Sequence, residues 1–117
     1  MKWEFLFDEN ENILFAKIHG VLNMADNTVM IKESLEPIEK RKCHRLLVDY
    51  IEIESQEIGT FDIYSIPKLF TELGVPRNLR IADVMPKIYG KDFGFFETVC
   101  RNSGYFVSIF LDVESAL

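Results

Sequence analysis

Apolar residues recur at two different spacings along this chain, and the switches between them predict its elements. Trp3, Phe5 and Phe7 alternate with Glu4 and Leu6, the period of a strand. The turn-forming run Asp8 to Asn12 follows, and Ile13 to His19 resumes strand character, so the two runs predict a hairpin. Gly20 to Leu22 is expected to be a connector. Met24, Thr28, Ile31, Leu35 and Ile38 then fall on one helical stripe, with Asn23 placed to cap it and Asp26 in its first turn. Pro37 is predicted to end this helix at Glu36 or soon after.

Glu39 to Arg45 reads as a polar, basic connector. Leu46-Leu47-Val48, closing in Asp49-Tyr50, reads as a strand covered on both faces. Ile51 to Gly59 carries no clear period and is expected to be irregular. Thr60 is predicted to cap a second helix carrying Phe61, Ile66, Leu69, Phe70 and Leu73. Pro67 predicts either a kink or a helix that starts near Ser65. Gly74, Val75 and Pro76 form a stop signal. Leu79 to Met85 predicts another strand. Asp92 is expected to cap a third helix carrying Phe93, Phe96, Val99 and Cys100, which Asn102-Ser103-Gly104 ends. Tyr105 to Leu111 is strongly β-favouring, and Asp112 is expected to cap a short terminal helix.

The predicted order is β-β-α-β-α-β-α-β-α. Helical crossovers imply parallel neighbours, and the hairpin implies one antiparallel edge strand. The expected fold class is therefore α/β, a mixed, mostly parallel sheet flanked by helices, in a single domain over residues 1–117. That order resembles the STAS domain of sulfate transporters and anti-sigma factor antagonists, in particular its small stand-alone SpoIIAA-like branch. The resemblance is carried by Leu46-Leu47-Val48-Asp49, Leu79 to Val84, Phe95-Phe96-Glu97, Gly104 to Phe110, and Asp112 to Leu117. It implies a non-enzymatic regulatory or scaffolding module that binds another protein. Antagonists of this family carry Asp-Ser-Ser-Gly-Leu after the third strand, and phosphorylation of its first serine switches partner binding. Here the corresponding region, Glu52 to Thr60, lacks that motif. Ser55 and Thr60 are its only hydroxyls and so the candidate phosphosites, although Glu54 and Glu57 would repel an added phosphate.

Composition narrows the classes. Apolar residues make up 48% and charged residues 27% of the 117, a globular balance rather than a disordered one. A formal net charge of −6 argues against nucleic acid and against anionic membrane surfaces as partners. The first nine residues lack the apolar run of a signal peptide, and no stretch approaches the ~20 apolar residues of a membrane span. The expected location is the cytoplasm, with Cys43 and Cys100 as reduced thiols.

No chemical apparatus stands out. His19, His44 and Cys43 do not supply three converging metal ligands, and no phosphate-binding glycine loop or nucleophile elbow is present, so neither a metal nor a cofactor is expected. Asp49, which ends an apolar strand, is the best single carboxylate for acid–base work. Ligands of open parallel sheets gather beyond the carboxyl ends of the strands. That rule selects Asp49, Lys87, Tyr89, Lys91 and Asp112 as the surface for a partner or ligand, with the acidic Glu52, Glu54 and Glu57 expected alongside. The abundance of phenylalanine in the C-terminal half motivates an alternative, a binder of an apolar small molecule or acyl chain. The least favoured alternative is an enzyme centred on Asp49. The leading hairpin also offers an edge for homodimer formation, blunted by Lys2 and Glu4.

Overall fold

The computed structural model describes residues 1–117 apart from the side chains of Lys91 and Asp92. In chain order the elements are β1 (Lys2–Asp8), β2 (Ile13–Leu22), α1 (Met24–Lys40), β3 (Arg45–Asp49), β4 (Ile53–Gln56), α2 (Thr60–Leu73), β5 (Arg80–Val84), α3 (Lys87–Asn102), β6 (Phe106–Phe110) and α4 (Val113–Ala116). One sheet runs β1-β2-β3-β5-β6, with β4 also on β2. Only the β1–β2 pair is antiparallel, as a hairpin dictates; the pairs β2–β3, β3–β5 and β5–β6 are parallel across their helical crossovers.

Alternation along the strands builds two unequal cores. Leu14, Ala16, Ile18, Leu46, Val48, Ile81 and Val107 meet the apolar stripes of α1, α2 and α3, represented by Met30, Ile66, Phe70, Phe93 and Phe96. The alternate residues Ile13, Leu47 and Val84 face the other way, where only the short α4 leans on them through Val113 and Ala116. The sheet is thus thickly covered on one face and thinly on the other.

Four boundaries differ from the sequence reading. First, β2 does not stop at His19. It runs through Gly20 at φ 84, and its last three residues pair in parallel with β4 across a register shift. The segment expected to be irregular therefore contains a strand. Its single apolar residue, Ile53, left no alternation to detect, and its pairing partner is more than thirty residues away in sequence. Second, α1 continues past Pro37 to Lys40. Proline forfeits only its own N–H bond, and the final turn is held by buried Ile38, whose carbonyl also accepts the Cys43 N–H at 2.9 Å. Third, α2 is capped at Gly59 rather than Thr60, and the Gly59 N–H donates to Asp62 Oδ2 at 2.9 Å. The helix runs through Pro67 because Ile63, Ile66 and Phe70 bury its inner face. At its end Gly74 adopts φ 80, the left-handed conformation that suits glycine.

Fourth, α3 starts at Lys87, five residues before the expected cap Asp92, whose side chain lies outside the described residues. Gly90 and Gly94 disguise this first stretch as a loop. An added Cβ at Gly90 would come within 2.7 Å of Leu111 Cδ2, so the glycine lets that side chain pack closely on the helix. Among the described residues no helix is long and apolar enough to cross a membrane.

Candidate functional site

The carboxyl ends of β3, β5 and β6 lie side by side. The ladder extends one step past the strands, where the Tyr50 N–H donates to the Val84 carbonyl at 2.8 Å and the Met85 N–H to that of Phe110 at 2.9 Å. Asp49, Lys87 and Asp112 therefore emerge at one edge. Two of them are occupied locally. Asp49 Oδ1 accepts the Ile51 N–H at 2.9 Å and shapes the turn after β3. Asp112 Oδ1 accepts the Ser115 N–H at 2.7 Å, capping α4, and that bond holds its carboxyl below the usual range. Lys87 is exposed in the first turn of α3, Tyr89 is half-buried against the core, and the Lys91 side chain lies outside the described residues. Glu52 of the acidic stretch does not sit beside them as expected. Glu52 turns to Lys17 at 3.4 Å and to His19 at 3.3 Å, both on β2, and β3 separates β2 from β5. Ser55 is half-buried in β4, and Thr60 is exposed as the first residue of α2.

At the starts of α2 and α3 the structure exposes large apolar side chains, one of which, Phe61, the helical period had placed with the residues of a stripe. Phe61, in the first turn of α2, is 91% exposed. Tyr64 lies one turn further along the same helix, largely exposed, its ring centroid 5.7 Å from that of Phe95 on α3. Ile88 is exposed in the first turn of α3, two turns before Phe95 and so on the same face. Buried Ile58, with its N–H bonded to Gln56 Oε1 at 2.7 Å, anchors the chain just before Gly59 and fixes where α2 begins. These are large apolar groups left in water at the starts of two neighbouring helices.

A second group of residues was missed outright. Asp83 sits in the middle of β5, 6% exposed, on the face that carries Ile81 and Met85. With Asn27, Ser34 and Tyr50 it lines a cavity of about 40 Å³ between the sheet and α1, α2 and α3. The Tyr50 hydroxyl donates to Asn27 Oδ1 at 3.1 Å, and the Ser34 hydroxyl to the Ile31 carbonyl at 2.6 Å. Among the described residues no hydrogen bond or ion pair reaches the Asp83 carboxylate. Burial alone pushes its pKa up to about 7. Burial, reinforced by the charge of Asp83, also raises Tyr50 and takes the Cys100 thiol to about 12. Cys43 and Cys100 are both buried and free. The signal was present in the sequence, an acid at the i+2 position between Ile81 and Met85. It became legible only once the covered face of β5 was known.

The architecture, a mostly parallel sheet extended by an antiparallel β1 and backed by three helices on one face, is a STAS/SpoIIAA-like fold. Among solved structures the chain is similar to an uncharacterized DUF3478-family protein with a SpoIIAA-like fold from Shewanella loihica PV-4. The two share a TM-score of 0.59 and 14% identity over 98% of this chain and 88% of that one. It is also similar to the anti-sigma factor antagonist SpoIIAA in its unphosphorylated form, with a TM-score of 0.54 and 12% identity over 97% and 92% of the two chains. No protein-family model and no curated protein matches the sequence.

Proposed function

We propose that this protein is a non-enzymatic regulatory or scaffolding module that binds another protein through the start of α2 and α3. The observation that carries this reading is Phe61, 91% exposed at the start of α2, with Tyr64 exposed one turn along the same helix and Ile88 exposed at the start of α3. A rigid pair of helices presenting aromatic side chains is what an interface anchor requires. The likeness in fold to an anti-sigma factor antagonist supports it. Acyl-chain binding finds no comparable support. Phe70, Phe93 and Phe96 are spent in the core, and the internal cavity of about 40 Å³ is far below the roughly 300–1,000 Å³ of ligand pockets.

A pull-down from extract of the source cell tests the proposal, with wild type and a Phe61→Ser/Tyr64→Ser variant as parallel baits. The expected result is a protein retained by wild type and lost from the variant. Failure of wild type to enrich any protein, or equal capture by both baits, would overturn it.

A further inference from the structure

The thinly covered face of the sheet carries a groove of about 340 Å³, bordered by Arg45 of β3, Arg80 of β5, Arg101 of α3 and Phe106 of β6, with α4 along one side. This volume falls within the range of small-molecule sites, roughly 300–1,000 Å³. The floor is Leu47 and Ala82, and the small alanine side chain leaves depth between the strands.

The charges on its rim are placed in an unusual way for an acidic chain of net charge −6. Arg45 and Arg80 are register partners on neighbouring parallel strands, and Arg80 is the register partner of Phe106 on the next. Two arginines and an exposed phenylalanine therefore occupy one row of register positions across three strands. Like charges side by side on a sheet repel, so the row is stabilised by an anion between them. The chain itself engages Arg45 and Arg101. Arg45 donates to the Glu11 carbonyl at 3.2 Å and to the Leu117 carbonyl at 3.4 Å, while the Glu11 carboxylate stands 4.0 Å away. No ion pair to Arg80 is found among the described residues. Arg101 curls around the β6 edge, with Nε on the Val107 carbonyl at 3.1 Å and Nη2 on Ser108 Oγ at 2.8 Å. Glu97 lies 3.7 Å from that Nε and neutralises part of its charge.

We propose that this groove binds a small phosphate monoester whose apolar body lies along Phe106. A single guanidinium fork already matches the two oxygens of a carboxylate. Arg80 supplies such a fork, and the positive charge of its register neighbour Arg45 adds attraction for a dianion, which favours phosphate over a carboxylate. The site is separate from the Phe61 surface, on the opposite face of the sheet, and stands without it.

Titration of the ¹⁵N-labelled protein with phenyl phosphate, followed by amide chemical shifts, tests this. Saturable shifts are expected in Arg45–Leu47, Arg80–Ala82 and Phe106–Ser108. The exposed Arg80→Gln change is expected to weaken binding about tenfold or more. Inorganic phosphate is expected to bind more weakly than phenyl phosphate, and Phe106→Ala to abolish that difference. Shifts that do not saturate, equal affinity for phenol and phenyl phosphate on the wild type, or an Arg80→Gln variant that binds unchanged would each overturn the proposal. The phenol comparison needs no variant and stands even if a substitution disturbs folding.

Discussion

On β5, Ile81 and Asp83 point into the helix-covered core, as does Met85 just past its end, while Arg80, Ala82 and Val84 point towards α4 and solvent. One five-residue strand thus places charged side chain types on both faces of the sheet, with opposite consequences. On the open face an arginine stays hydrated and keeps its charge at little cost. On the covered face an acid loses its water, and its protonated form becomes the favoured one near neutrality. The comparison teaches that the covered face holds the fold together, whereas the open face is free to carry recognition.

The largest expected effect separates the faces by packing. Phe70 is 3% exposed and meets Tyr105 edge-on with ring centroids 5.2 Å apart. Phe70→Ala should lower stability by about 3–5 kcal/mol. Phe106→Ala on the open face should lower it by about 0.5 kcal/mol or less. Urea unfolding of the two variants checks this, and similar losses would break the distinction between the faces.

The next effect is electrostatic. With its folded pKa near 7 and the ordinary value at 3.8, Asp83 binds more protons in the native than in the unfolded state between those limits. Stability should therefore be greatest below about pH 4 as far as this group is concerned, and should fall as pH rises to about 7. The loss reaches the order of 4 kcal/mol once Asp83 ionises. Asp83→Asn should flatten that part of the profile, which chemical denaturation across pH can measure. An unchanged slope would mean that another group carries it.

The smallest effect concerns the lid on the thin face. Removing the side chain that caps α4, in Asp112→Ala, should cost about 1 kcal/mol. Hydrogen exchange should locate the loosening at α4 and the strands beneath it rather than at α1 to α3.

The edges of the sheet bear on self-association. At β6, α3 closes the open backbone groups, Glu97 Oε2 accepting the Ile109 N–H at 2.9 Å and Arg101 binding the Val107 carbonyl. Strand pairing between two copies is thereby blunted on that side, while β1 remains the other edge.

Much of this was legible in the residues themselves. The hairpin, the parallel strands joined by helices, the glycine stop at Gly74 and the caps at Asn23 and Asp112 all follow from spacing and side-chain chemistry acting over a few positions. What periodicity could not deliver were features that depend on a distant partner. Strand β4 exists because the end of β2 passes beside it. The first turn of α3 closes against Leu111, which comes some twenty residues later. Phe61 matches the helical pattern but lies beyond the reach of the core, because α2 is capped at Gly59 and Ile63, not Phe61, takes the buried side of its first turn. The three arginines are scattered through the sequence, and only the strand register brings Arg45 beside Arg80, with Arg101 folded around the edge. Local sequence therefore determined the elements and their order, since those depend on nearest neighbours and on apolar period. Tertiary structure decided which face of each element was covered, and that assignment left Asp83 largely shielded from water, Phe61 without cover and the arginines on one rim.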